Sequence, residues 1–132
     1  MSSPSDDAVR ALKAHYERWQ VGDWSDGSIF DRYAVLVFPD PTPHPIYGTE
    51  AMSNYTRRFL EGWKDIRIEA DSLREIGDTF VVGVRLIGTG RGSGLSTQDH
   101  AFHVWTFRGA KAIRLEFFSR ESDALEAAGM SG

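Results

Sequence analysis

Residues 38–48 read Phe-Pro-Asp-Pro-Thr-Pro-His-Pro-Ile-Tyr-Gly, and four of the chain's five prolines fall there, at positions 39, 41, 43 and 45. Each proline fixes its own φ and lacks a backbone N–H, so the segment can be neither helix nor central strand. Asp40, Thr42 and His44 each precede a proline and are pushed toward extended geometry. The product is a stiff, extended strip carrying one carboxylate and one imidazole. Stiffness lowers the entropy lost in holding a side chain in one place, which suits a reactive or ligand-orienting group. A surface loop with strong turn chemistry has the same composition.

The periodicity on either side of the strip sets the fold class. Val9, Leu12, Tyr16 and Trp19 recur at helical spacing within Ala8–Val21, and Gly22 supplies a stop. Residues 23–33 predict a short second helix and residues 34–38 a brief apolar strand. Beyond the strip, Thr49 is the expected cap of a helix with Met52, Tyr55, Phe59 and Trp63 on one face. Four strands are predicted next, over residues 65–76, 79–89, 98–107 and 111–119. Gly77-Asp78, Gly90–Gly94 and Arg108-Gly109-Ala110 connect them, and residues 122–128 predict a short terminal helix. Segregated helices with an antiparallel sheet make an α+β fold. A long curved meander with three helices on one face would leave a pocket between them. With 132 residues and 41% apolar content, the chain suits a single domain over residues 1–132.

Several function classes drop out. The net charge is −4 with signs mixed along the chain, so no basic stripe favours nucleic acid. The absence of cysteine excludes disulfides and thiol chemistry. No basic segment followed by an apolar run marks a leader, and no window approaches membrane-spanning length. A soluble cytoplasmic protein is therefore expected, with no membrane partner. His100 and His103 resemble a ligand pair, but a spacing of three on a strand puts them on opposite faces. The glycines from Gly88 to Gly94 lead into another strand, whereas a phosphate loop needs a helix N-terminus. No metal or other cofactor is expected.

The element order and several local motifs resemble the NTF2-like superfamily, in its SnoaL-like and ketosteroid-isomerase-like branch. The matching stretches are Ala-His-Tyr-Glu-Arg-Trp-Gln-Val-Gly-Asp (14–23), Asp-Pro…Pro-Ile-Tyr-Gly (40–48), Gly-Asp-Thr-Phe-Val-Val (77–82) and His-Val-Trp-Thr-Phe-Arg-Gly (103–109). The resemblance implies a cone-shaped α+β barrel in which a curved antiparallel sheet and three helices enclose an apolar pocket. It also implies a homodimer formed through the sheet, where Trp105 or Phe107 and Phe117 would cover the interface. This superfamily hosts isomerases, aldol cyclases, dehydratases, epoxide hydrolases and non-catalytic modules, so fold alone does not select an activity.

Three residues are candidates for catalysis. In the ketosteroid-isomerase pattern a carboxylate placed like Asp40 moves a proton next to a carbonyl, although one residue fewer separates it here from the closing Pro45-Ile46-Tyr47-Gly48. Asp40 also reads as a turn aspartate bonding nearby backbone N–H groups. Tyr16, on the apolar face of the first helix, matches the oxyanion-hole tyrosine, and otherwise is a core tyrosine. His103 lies in a strand apolar on both faces, where the pattern carries a second, protonated acid. A neutral imidazole there could donate a hydrogen bond, act as base, or be a satisfied core histidine. The pocket is expected to draw on Leu12, Trp19, Phe30, His44, Met52, Tyr55, Phe59, Trp63, Arg85, Trp105 and Glu116, with His44 at the rim. Arg85 and Glu116 would position His103 if they point inward, and are surface or interface charges if they point outward.

The leading expectation is a small cofactor-independent isomerase or cyclase acting by proton transfer on an apolar carbonyl compound in a deep pocket. A non-catalytic small-molecule-binding or accessory dimer module is the second reading. Epoxide hydrolysis, which would need Asp40, Arg85 and Glu116 together, is the third.

Overall fold

Helix α1 spans Pro4–Gln20 and buries Ala8, Leu12, His15 and Tyr16, positions that fall on one stripe at helical spacing. Gly22 ends it at φ 77°, in the left-handed region that glycine enters without a Cβ penalty, and its N–H bonds Trp19 O at 3.1 Å. The computed structural model describes residues 4–25, 27–38 and 44–129.

The helix expected over residues 23–33 does not form among the described residues of that range. Asp23 Oδ1 instead accepts from both the backbone N–H (3.0 Å) and the hydroxyl (2.6 Å) of Ser25. This local bond competes with helix formation. Phe30 N–H then bonds Gly27 O, and strand β1 begins at once, covering Phe30–Phe38.

Past the strip, β2 (His44–Tyr47) pairs antiparallel with β1, with Phe38 opposite His44 and Val35 opposite Tyr47. Pro45 is tolerated there because β2 is an edge strand, where a missing N–H need not break a ladder. Helix α2 covers Thr49–Glu61, capped by Gly48 at φ 85° and ψ 153° with no side-chain cap bond. Thr49, the expected cap, is thus the first helical residue.

Four long strands follow: β3 (Trp63–Ile76), β4 (Thr79–Gly90), β5 (Ser96–Arg108) and β6 (Lys111–Phe118). They form an antiparallel meander, and β6 pairs parallel with β1, giving the order β2-β1-β6-β5-β4-β3. The sheet is curved and unclosed, with β2 and β3 as its edges.

Alternation along the strands separates two layers. Phe80, Val82, Val84, Trp105 and Leu115 face α1 and form the main core with Leu12, Tyr16, Leu36 and Met52. Each large apolar side chain buried there contributes about 1.5–3 kcal/mol. Val81 and Val104 point the other way and meet Ala124 of helix α3 (Glu121–Ala127). The inner face is covered by α1 and α2, since the helix expected beside them over residues 23–33 does not form. Trp105 and Phe107 are buried in the inner core, so neither is available to a sheet interface. Among the described residues, no helix is long and apolar enough to cross a membrane.

Candidate functional site

Between α1, α2 and the inner face of the sheet lies a cavity of about 720 Å³. Its buried lining includes His15, Leu36, Met52, Ile68, Val84 and His103. The exposed lining residues Asp23, Ser25, Ser53 and Arg57 put the mouth between the α1–β1 connection and α2. The site is thus a deep apolar chamber with a polar rim, the form that small-molecule sites commonly take.

His103 is fixed to the wall by a buried chain of hydrogen bonds. Trp105 Nε1 donates to Tyr16 Oη at 2.7 Å, and Tyr16 Oη lies 2.6 Å from His103 Nδ1. An indole nitrogen can only donate, so the phenol oxygen accepts from Trp105; were His103 Nδ1 to donate as well, the buried phenolic proton would have no acceptor, and satisfying it assigns that proton to His103. Nδ1 is then the acceptor, and the imidazole carries its proton on Nε2. Burial is the main reason that the His103 pKa is lowered from 6.5 to about 3, with the charge of His15 adding to it. Burial likewise raises the Tyr16 pKa above its ordinary value. At neutral pH both groups are uncharged, and His103 offers its cavity one Nε2–H donor. Its ring is braced edge-on by Phe117 at 4.7 Å, and Phe117 stacks on Phe38 at 4.5 Å.

The predicted residues divide accordingly. His103, Trp19, Phe30, Met52, Tyr55 and Phe59 line the cavity. Tyr16 stands behind the wall, 5% exposed, and borders a smaller cleft between α1 and β3. It acts on His103 rather than on the cavity's contents. Leu12 and Trp105 are wholly buried in the core and do not reach the chamber. Trp63 packs over β4, where a Cβ on Gly88 would lie 2.8 Å from its ring.

Arg85 and Glu116 need correction. Arg85 pairs with Glu69 at 2.8 Å and Asp71 at 3.4 Å, and its neighbours Val84 and Leu86 are the residues that line the cavity. Glu116 lies opposite the outward Val104 and pairs with Arg114 at 3.1 Å. Both stand on the outer face by strand alternation, so neither positions His103, and the carboxylate–arginine arrangement for epoxide opening is not assembled from them. Asp40 and the side chain of His44 lie outside the described residues.

Sequence reasoning passed over His15, Trp24 and Phe38, and set Phe117 at a sheet interface although it turns into the cavity. His15 stands three residues after Leu12 and four before Trp19, so helical spacing places it on the same stripe. Phe117 had a signal too, because β6 turns Leu115 and Phe117 inward and Glu116 outward.

The SnoaL-like domain family model matches residues 12–115. The chain belongs to the SnoaL-like domain family. Solved structures agree on the fold, which is that of the NTF2-like superfamily. An NTF2-like protein of unknown function from Burkholderia pseudomallei is 18% identical with a TM-score of 0.76, over 98% of this chain and 100% of that one. A provisionally named SnoaL-like polyketide cyclase from Jannaschia sp. is 16% identical with a TM-score of 0.74, over 96% and 94%. A provisionally named isomerase from Bacillus subtilis is 20% identical with a TM-score of 0.75, over 98% of both chains. At such identities the likeness is one of fold alone. No curated protein matches this SnoaL-like chain.

Proposed function

We propose that this SnoaL-like protein binds an apolar carbonyl compound in the 720 Å³ cavity and catalyses an isomerisation or cyclisation by proton transfer. The observation that carries this reading is the Trp105–Tyr16–His103 chain. It leaves a neutral imidazole N–H, held rigidly in an apolar wall, to bond the carbonyl oxygen and the enolate that forms from it. A fixed donor in a water-poor site costs no reorganisation during the reaction, and such a donor is worth about 10²–10³-fold in rate. The depressed pKa of His103 favours the donor role over the base role.

Asp40 is the proton acceptor that the resemblance implies, and it stands two residues after the cavity-lining Phe38. A positioned acceptor contributes about 10²–10⁴-fold. The polyketide cyclase and isomerase names carried by two similar structures are compatible with chemistry of this class. Assembly as a homodimer through the sheet is part of the proposal, and sedimentation velocity tests it separately.

A panel of β,γ-unsaturated ketones and 1,3-diketones, followed spectroscopically with wild type, His103→Leu and Asp40→Asn, tests the reading. Turnover by wild type and its loss in His103→Leu are expected. Turnover unchanged in both variants contradicts the assignment. Ligand-induced stabilisation without turnover of any panel member would favour a binding module.

A further inference from the structure

His15 is a buried titratable group that the donor chain does not use. It is 1% exposed, lies one residue before Tyr16 on α1 and lines the cavity. The ring sits 4.2 Å from that of Trp19, 5.6 Å from Trp105 and 6.0 Å from Phe30, so three aromatic neighbours fix its position. Aromatic faces also attract a cation, which makes this a more favourable place for an imidazolium than bare hydrocarbon. The other titratable groups lining the cavity, among the described residues, are His103, Tyr55, Asp23 and Arg57. His103 is held as a donor by Tyr16. Asp23 and Arg57 are exposed at the mouth. An arginine has no proton acceptor.

We propose that His15 is a further catalytic residue, a proton acceptor supplied by the cavity wall and acting on the carbon next to the carbonyl held by His103. This rests on the carbonyl reading above. In the step, a nitrogen of His15 in its unprotonated form takes the proton. The C–H electron pair becomes the new C=C bond, and the carbonyl π pair moves onto the oxygen bonded by His103 Nε2–H. The imidazolium, whose proton exchanges with water in the cavity, then protonates a second carbon, so nothing is oxidised or reduced.

The test is proton exchange into deuterated water, read by NMR on a β,γ-unsaturated cyclic ketone and an aryl 1,3-diketone, with wild type, His15→Gln, His15→Phe and Asp40→Asn. His15→Phe keeps an aromatic ring in the packing, so a loss shared by both His15 variants is not a folding defect. The expected result is exchange slowed by about 10²–10⁴-fold in both, with the ligand-dependent rise in melting temperature retained. That split separates a chemical role from a structural one. Wild-type exchange in a folded His15 variant overturns the proposal, whatever Asp40→Asn does, and leaves the carbonyl reading standing. No exchange by wild type overturns the carbonyl reading and this one with it.

Discussion

Tyr16 Oη and His103 Nδ1 lie 2.6 Å apart, and satisfying every buried donor assigns the phenolic proton to this contact. This single contact, made possible because Trp105 fills the phenol's acceptor role from behind, sets the tautomer of the one imidazole fixed as a donor to the cavity. It changes the part that a tyrosine on an apolar helix face plays in this chain. The phenol orients the donor, and the imidazole meets the ligand.

Tyr16→Phe leaves the Trp105 indole N–H and His103 Nδ1 without their partner in a buried setting. An unsatisfied buried polar group costs about 1–3 kcal/mol. Denaturant unfolding of Tyr16→Phe should show a loss of that size with an unchanged m-value. A loss below about 0.5 kcal/mol, well under that range, would mean that the chain of bonds does not hold the wall together.

Stability should fall at both ends of the pH range. The folded state keeps His103 neutral down to about pH 3, while an unfolded histidine takes a proton near 6.5. The unfolded state therefore binds more protons below that value, and stability declines as pH falls from about 6.5 toward 3 by up to about 1.4 kcal/mol per pH unit. Tyr16 works in the opposite sense. Its pKa is raised in the fold, so only the unfolded state ionises as pH climbs past 10.0, and stability declines there. Unfolding curves across pH check both limbs, and the alkaline limb should shrink in Tyr16→Phe.

Arg85→Gln and Glu116→Gln should leave ligand binding and turnover at wild-type levels, because both side chains pair with charges on the outer face. Surface pairs are worth about 0–1 kcal/mol, and thermal unfolding should move no further than that. A loss of turnover in Arg85→Gln would place that arginine in the chemistry.

Filling the chamber should separate binding from folding. Met52 is 6% exposed and lines the cavity, so Met52→Trp puts a larger ring into open space. An overpacked site costs about 1–3 kcal/mol at most, whereas the rise in melting temperature caused by apolar ketones should vanish. A retained rise would move the binding site elsewhere.

Much of the fold was legible in the sequence, since the long strands are bounded by glycine turns and alternate cleanly. Residues 23–33 were misread as a short helix, whereas the Asp23–Ser25 bonds and the Phe30–Gly27 bond favour turns. The face covered by α3 was not legible, because its seven residues carry no signal for which side of the sheet they meet. At the site, His103 was legible from a polar residue in an apolar strand. The direction of the Tyr16 proton was not, because it depends on Trp105, a residue 89 positions away. The direction of Arg85 was left open by the apolar character of its strand, and Glu69 directly opposite decides it.

The most direct measurement is a long-range ¹H–¹⁵N correlation spectrum of the His103 ring, recorded against pH and with a bound cyclic enone. A ring protonated on Nε2, with no titration down to about pH 4 and an Nε2–H signal that shifts when the enone binds, is the expected outcome. A ring protonated on Nδ1, titration near 6.5, or an Nε2–H signal indifferent to the enone would contradict the donor role of His103.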